Sequence, residues 1–286
     1  MADHKVAVLG AGVMGVSIST LAIGHGLPVV LIDIDEAKLR RAPGTIRQQS
    51  RMSALMESGP GPIAGSPGEL VTSPSLESAR GCTAVIEAIT EVAELKAKVL
   101  CDVSGLVPQD APIISNTSAI PIDELADAVP APARLVGTHF MNPAYLIKTV
   151  EVIRGRRTAD STIDAVIALL AAVDRTAIVV RDAPGFVTSR LLHPMINDAI
   201  RVVAEGTAGV EDVDALMRGC LGHPTGPLRT ADLIGLDNLA DALSVLAERT
   251  GDSRAAPCEL LLEMVRDGRL GRKSGRGLYE YGGAQS

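Results

Sequence analysis

Residues Val6 to Glu36, VAVLGAGVMGVSISTLAIGHGLPVVLIDIDE, decide the fold. An apolar run leads into Gly10-Ala11-Gly12-Val13-Met14-Gly15, then a helical pattern, then a second apolar run from Pro28 to Ile32 that ends at Asp33. A strand must stop abruptly for a helix to begin beside a pyrophosphate. Gly10 makes the turn, Gly12 lets the phosphates approach the backbone, and Gly15 lets helix and strand pack. The phosphates then rest on N–H groups at the helix start, around Val13 and Met14. Asp33, about 20 residues past the glycines, is placed to accept hydrogen bonds from the adenosine ribose hydroxyls. Its charge would repel a 2′-phosphate, so the expected cofactor is NAD rather than NADP.

Composition narrows the class. The chain has 286 residues, enough for about two domains, and is 47% hydrophobic, enough for a sizeable core. Its net charge of −7 supplies no global basic field, so neither nucleic acid nor an anionic membrane is an expected partner. The first strand begins near Lys5, which leaves no room for a signal peptide, and no apolar run approaches the ~20 residues of a membrane span. Cys82, Cys101, Cys220 and Cys258 are far apart without CxxC spacing and read as reduced thiols of a cytoplasmic protein. No metal site is expected. Aromatics make up only 2% of the chain, so aliphatic side chains must build the core.

Strand and helix patterns alternate to about residue 181. Strands are expected at Thr83–Ile89, Pro112–Ser115, Leu135–His139, Thr149–Ile153 and Ala177–Val180, with helices at Glu91–Val103, Ile122–Ala128 and Thr162–Val173. This alternation predicts an α/β, Rossmann-like, doubly wound and mainly parallel sheet over residues 1–181. One excursion, from Leu39 to Leu70, carries a helix through Thr45 to Glu57 and then a Gly/Pro run from Gly59 to Gly68, read as a surface loop or a substrate-side flap. After Asp182-Ala183-Pro184-Gly185 the patterns are helical only, at Leu191–Glu205, Val210–Cys220, Leu233–Arg249 and Cys258–Asp267. An all-α domain over 182–286 is therefore expected.

A second constellation indicates the chemistry. Asn116-Thr117-Ser118 and His139-Phe140-Met141-Asn142-Pro143 each follow a strand, and Glu151 lies in the next strand, 12 residues past His139. Groups at the carboxyl ends of parallel strands converge on a ligand cleft. Oxidation of an alcohol needs a base for the hydroxyl proton while hydride leaves carbon. A His suits that role, and a carboxylate on its other nitrogen fixes the tautomer and stabilises the imidazolium. His139 and Glu151 are the candidates, with Ser118 holding the same oxygen.

The runs GAGVMG, VVLID, VIEAITE, NTS, THFMNPAYLIKTVEVI, DAPGFVTSRLL and GRKSGRGLYEY together resemble the L-3-hydroxyacyl-CoA dehydrogenases, including the bacterial 3-hydroxybutyryl-CoA dehydrogenases, along nearly the whole chain. The resemblance implies an NAD-binding domain, a helical domain that forms a homodimer, and interconversion of a 3-hydroxyacyl and a 3-ketoacyl thioester. It implies His139 as general acid/base, Glu151 as its orienting carboxylate, and Ser118 at the substrate oxygen and nicotinamide. It also implies cofactor contacts at Asp33, Glu91, Lys96, Asn142 and Lys273, with Asn142 at the substrate as well.

Two departures touch the substrate. Ser189 stands where the family carries Asn, which removes one hydrogen-bonding group and some reach. On the helix expected through Thr45 to Glu57, Ser50 fits a substrate-contacting Ser, but Glu57 takes the place of a Lys that meets the CoA phosphates. A carboxylate repels phosphate, leaving Arg47 and Arg51 to compensate. Relatives also oxidise acyl groups on acyl carrier protein, such as glyceryl units used in polyketide extender-unit assembly. Two carriers therefore stay open, CoA and acyl carrier protein. A free hydroxy-acid or polyol dehydrogenase and a non-catalytic crystallin-like protein are further alternatives, the last disfavoured by the intact Ser118, His139 and Glu151.

Overall fold

The structure, a computed structural model, describes residues 4–55 and 67–282. Glu57, and the Gly/Pro run from Gly59 through Ser66, lie outside the described residues. The chain divides into two units, residues 1–183 and 184–286, a division two residues beyond the one expected from sequence.

The first unit is a twisted sheet with helices. Its elements are β1 (Val6–Leu9), α1 (Val13–Gly24), β2 (Val29–Ile32), α2 (Glu36–Leu55), β3 (Leu70–Ser73), β4 (Ala84–Glu87), α3 (Ala93–Ser104), β5 (Ile113–Ser115), α4 (Ile122–Leu125), β6 (Leu135–His139), β7 (Thr149–Arg154), α5 (Asp160–Ala172) and β8 (Thr176–Arg181). The strand order is β3-β2-β1-β4-β5-β6-β7-β8. Strands β1, β2 and β4 are buried along their whole length, as strands with helices on both faces must be, and every residue in them but Glu87 is apolar. Aliphatic side chains fill both sides of the sheet.

Pairing is parallel except between β6 and β7. Residues 140–148 are too few for a crossover, which takes about a dozen residues or more, so the chain turns straight back. This reversal corrects the expectation that Glu151 approaches on the end of a parallel strand. It sits near the start of an antiparallel one, which reaches the same edge of the sheet.

Other differences are local. The helix expected from Thr45 begins at Glu36 and runs through Pro43. Asp35 accepts the N–H groups of Ala37 and Lys38 and starts it, and the buried stripe Leu39, Ala42 and Ile46 outweighs the hydrogen bond that Pro43 cannot make. β3 was not expected: it is a four-residue edge strand with only partial burial and no apolar run to betray it.

The second unit contains α6 (Thr188–Ala204), α7 (Val210–Leu221), α8 (Pro227–Ile234), α9 (Leu236–Thr250) and α10 (Glu259–Arg266). The expected helix Leu233–Arg249 is divided by Gly235, whose φ of +97° only glycine adopts readily, and α8 precedes the break. Asp232, buried at the end of α8, accepts the N–H groups of Leu278 and Tyr279 and the hydroxyl of Tyr281, pinning the C-terminal segment. No helix among the described residues is long and apolar enough to cross a membrane.

Candidate active site

The site is built on one row of the sheet. Leu9, Glu87, Ser115 and Gly137 are register neighbours on β1, β4, β5 and β6, and the chain turns that follow them carry most of the candidate residues.

At the first turn, Gly10 has φ +103°, and a Cβ there would lie 2.6 Å from the carbonyl oxygen of Ala88. A Cβ on Gly15 would lie 1.8 Å from the carbonyl oxygen of Gly10, so helix and turn meet only because both are glycine. A Cβ on Gly12 would meet nothing within 4 Å. That open approach, beside the first N–H groups of α1 at Val13 and Met14, fits a dinucleotide pyrophosphate. Asp33, at the end of β2, accepts the N–H of Ala11 at 2.7 Å and that of Asp35 at 2.8 Å, which fixes its carboxylate beside the glycine turn. The residues therefore fit NAD.

The turn after β4 contains a buried ion cluster. Glu87 and Lys96 are wholly buried, with Lys96 Nζ 2.6 Å from Glu87 Oε1 and 3.1 Å from Glu91 Oε2. Glu87 also accepts the hydroxyl of Ser115 and the N–H of Ile89. Glu91 precedes α3 rather than opening it, and its Oε1 accepts the Thr117 hydroxyl, the Ser118 and Ala119 N–H groups and the Ser118 hydroxyl. Burial opposes ionisation of Glu91, but the Lys96 ammonium and the hydrogen bonds from Thr117 and Ser118 outweigh it and hold the carboxyl below its ordinary range. Lys96 thus lies behind Glu91, with no surface of its own.

The His139–Glu151 pair follows from the β6–β7 reversal. The two are directly opposed in antiparallel register, which puts both side chains on one face within reach of each other. His139 Nδ1 lies 2.8 Å from Glu151 Oε2, and both residues are buried. With Nδ1–H donating to the carboxylate, the lone pair resides on Nε2. Asn116 Oδ1 accepts the N–H of Phe140 at 3.1 Å, tying the turn that carries Ser118 to the segment that follows His139. Ser118 and Asn142 are exposed on these two segments.

The remaining candidates lie on other elements. Ser50, half-buried on α2, donates its hydroxyl to the carbonyl of Ile46, while Arg47 and Arg51 are exposed. Ser189 is buried in the first turn of α6. Lys273 pairs with Asp237 at 2.6 Å, and Gly235 gives them room. Glu87, Asn116 and Thr117 join the site without a role in the sequence motifs. Glu87 carried a signal, since an acid inside the apolar run TAVIEAI must be buried and therefore paired.

Comparison with known proteins agrees with this geometry. The chain is 39% identical over 286 residues to a 3-hydroxybutyryl-CoA dehydrogenase of Bradyrhizobium diazoefficiens, covering 98% of this chain and 96% of that one. It is 39% identical over 285 residues to a probable 3-hydroxybutyryl-CoA dehydrogenase of Bacillus subtilis, with 98% of each covered. The crystal structure of (S)-3-hydroxybutyryl-CoA dehydrogenase from Ralstonia eutropha superposes with a TM-score of 0.89 at 38% identity, covering 98% of this chain and 99% of that one. Residues 5–183 match the NAD-binding domain of 3-hydroxyacyl-CoA dehydrogenase and residues 185–281 its C-terminal domain, so the chain belongs to the 3-hydroxyacyl-CoA dehydrogenase family.

Proposed function

We propose that this protein interconverts a 3-hydroxyacyl-CoA, of the 3-hydroxybutyryl type, and the corresponding 3-ketoacyl-CoA. The observation that carries the reading is the buried His139–Glu151 pair at the same sheet edge as the glycine turn. NAD, when bound, supplies the acceptor for the hydride on the carbinol carbon. His139 Nε2 takes the proton of the substrate hydroxyl, and Glu151 stabilises the imidazolium that results. Ser118, whose hydroxyl can donate to Glu91, offers its lone pair to the same hydroxyl and holds it. Asn142 orients the nicotinamide end and the substrate, and Glu91 holds the ribose side with Lys96 acting through it. Ser50, Arg47 and Arg51 of α2 face the CoA nucleotide. The Ser118–His139–Glu151 set favours a working enzyme over a crystallin-like scaffold.

A panel following NADH absorbance tests this. It pairs NAD and NADP with 3-hydroxybutyryl-CoA, the same acyl group on acyl carrier protein, and free hydroxy acids. The expected winner is NAD with the CoA thioester. Removing one charge-assisted phosphate contact is worth about 1.5–3 kcal/mol, so 3′-dephospho-CoA substrates should lose roughly ten- to a hundredfold in kcat/KM. Preference for the carrier-linked acyl group, with no response to the 3′-phosphate, would give the substrate to the acyl carrier protein and explain Glu57 in place of a Lys. A preference for NADP would remove Asp33 from its role.

The second unit is also proposed to form a homodimer. Leu191 on α6, Leu216 and Leu221 on α7 and Leu233 on α8 are each more than half exposed, apolar surface that self-association would bury. Light scattering at micromolar concentration should return twice the chain mass; a monomer contradicts this.

A further inference from the structure

Arg175 lies at the turn between α5 and β8, outside the machinery above. It is 4% exposed, yet its guanidinium is satisfied by backbone carbonyls alone. Nε donates to Ala144 (3.3 Å), Nη2 to Tyr145 (2.8 Å), and Nη1 to Val173 (3.3 Å) and Asp174 (2.8 Å). The neighbouring Asp174 carboxylate is engaged by Lys148. That carboxylate acts on Arg175 through charge but takes none of its hydrogen bonds, and a buried guanidinium bonded to carbonyls is costly and is retained where those bonds fix something. Two of these bonds close the end of its own helix. The other two grip the segment that leaves His139.

That segment is held at both ends. Phe140 is tied to Asn116, and the N–H of Ala144 donates to the buried hydroxyl of Ser17 on α1 at 2.8 Å. Ala144 is therefore clamped through its N–H by the dinucleotide helix and through its carbonyl by Arg175, with Tyr145 gripped beside it. Between the anchors stands exposed Asn142.

We propose that Arg175 is a positioning residue: by fixing the carbonyls of Ala144 and Tyr145 it sets the pose of Asn142 toward the nicotinamide end of the cofactor. This rests on the assignment of Asn142 as a cofactor contact. The role is specific to arginine, because a planar fork of five donors spans four carbonyls in three directions, whereas a lysine has three donors at one point.

The test uses the full chain with Arg175→Lys, Arg175→Met, Asn142→Ala and the Arg175→Lys/Asn142→Ala double variant. Arg175→Lys and Arg175→Met should each raise the Kd for NADH by about tenfold, the scale of one or two hydrogen bonds. The pH profile of kcat/KM should keep its shape, since His139 and Glu151 are untouched. In cofactor-free protein, hydrogen exchange across residues 140–147 should quicken. In the Asn142→Ala background the Arg175→Lys effect on Kd should largely vanish, because coupled residues are non-additive. If Asn142→Ala weakens NADH binding and Arg175→Lys does not, or if the Arg175→Lys effect persists undiminished without Asn142, the proposal fails. If Asn142→Ala binds NADH normally, the assignment of Asn142 falls, and the proposal with it. Arg175→Lys serves as the readout should Arg175→Met not fold.

Discussion

A His139→Ala variant is expected to lose about 10²–10⁴ in kcat, the contribution of a positioned acid/base, while its affinity for NADH changes only a few-fold. The asymmetry follows from the geometry. His139 spends Nδ1 on Glu151, so the nitrogen that can exchange a proton with substrate is Nε2, and alanine removes that group while leaving the glycine turn, Asp33 and the Glu91 cluster in place. Glu151→Gln should follow it in direction. The amide keeps the size of the carboxylate but neither fixes the tautomer as firmly nor stabilises the imidazolium, so kcat should fall with little change in melting temperature. Stopped-flow measurement of NADH formation gives kcat directly, and fluorescence titration gives the cofactor affinity. Turnover near that of the parent in His139→Ala removes the residue from the chemistry. An equal collapse of NADH affinity reassigns it to binding.

The features legible in the sequence are those where one residue type alone satisfies a local demand. Gly10 and Gly15 were readable because any side chain there meets backbone within 3 Å, which pattern and spacing encode directly. The spacing of His139 and Glu151 was readable as a pair but not as a geometry. The antiparallel return that makes them opposed neighbours depends on the shortness of the 140–148 connection and on β8 completing the sheet beyond it. The turns of α2 before Thr45 were not expected, because the buried Leu39–Ala42–Ile46 stripe, a tertiary contact, carries the helix through Pro43 against local propensity. Arg175 was illegible for a different reason. Its partners are carbonyl groups, and no sequence pattern records which carbonyl a side chain will meet.

The largest stability effect is expected from Lys96→Met, which should cost about 3–5 kcal/mol, as removal of one member of a buried ion cluster does. Methionine fills most of the same volume, so the loss is electrostatic rather than a cavity. Glu87, wholly buried, keeps only the Ser115 hydroxyl and the Ile89 N–H, and carries most of the cost. Glu91, about a third exposed, is partly screened by solvent and contributes less. The pH dependence separates this from ordinary packing damage. In the parent, burial works against the Glu91 carboxylate, but Lys96 and the surrounding donors hold it low, so its stabilisation is present above the ordinary glutamate value of about 4.3 and is lost as pH falls through the lowered one. In Lys96→Met the attraction is gone and burial is opposed only by the Thr117, Ser118 and Ala119 donors, so the deficit should be widest near neutral pH and should narrow on acidification. Adding Glu87→Gln removes the stranded charge while its amide can still accept from Ile89 and meet Ser115, and should recover part of the loss. Denaturant unfolding at neutral and acid pH reads all three quantities. A Lys96→Met deficit that is small, or that stays constant with pH, shows that the cluster is held by packing and not by its charge.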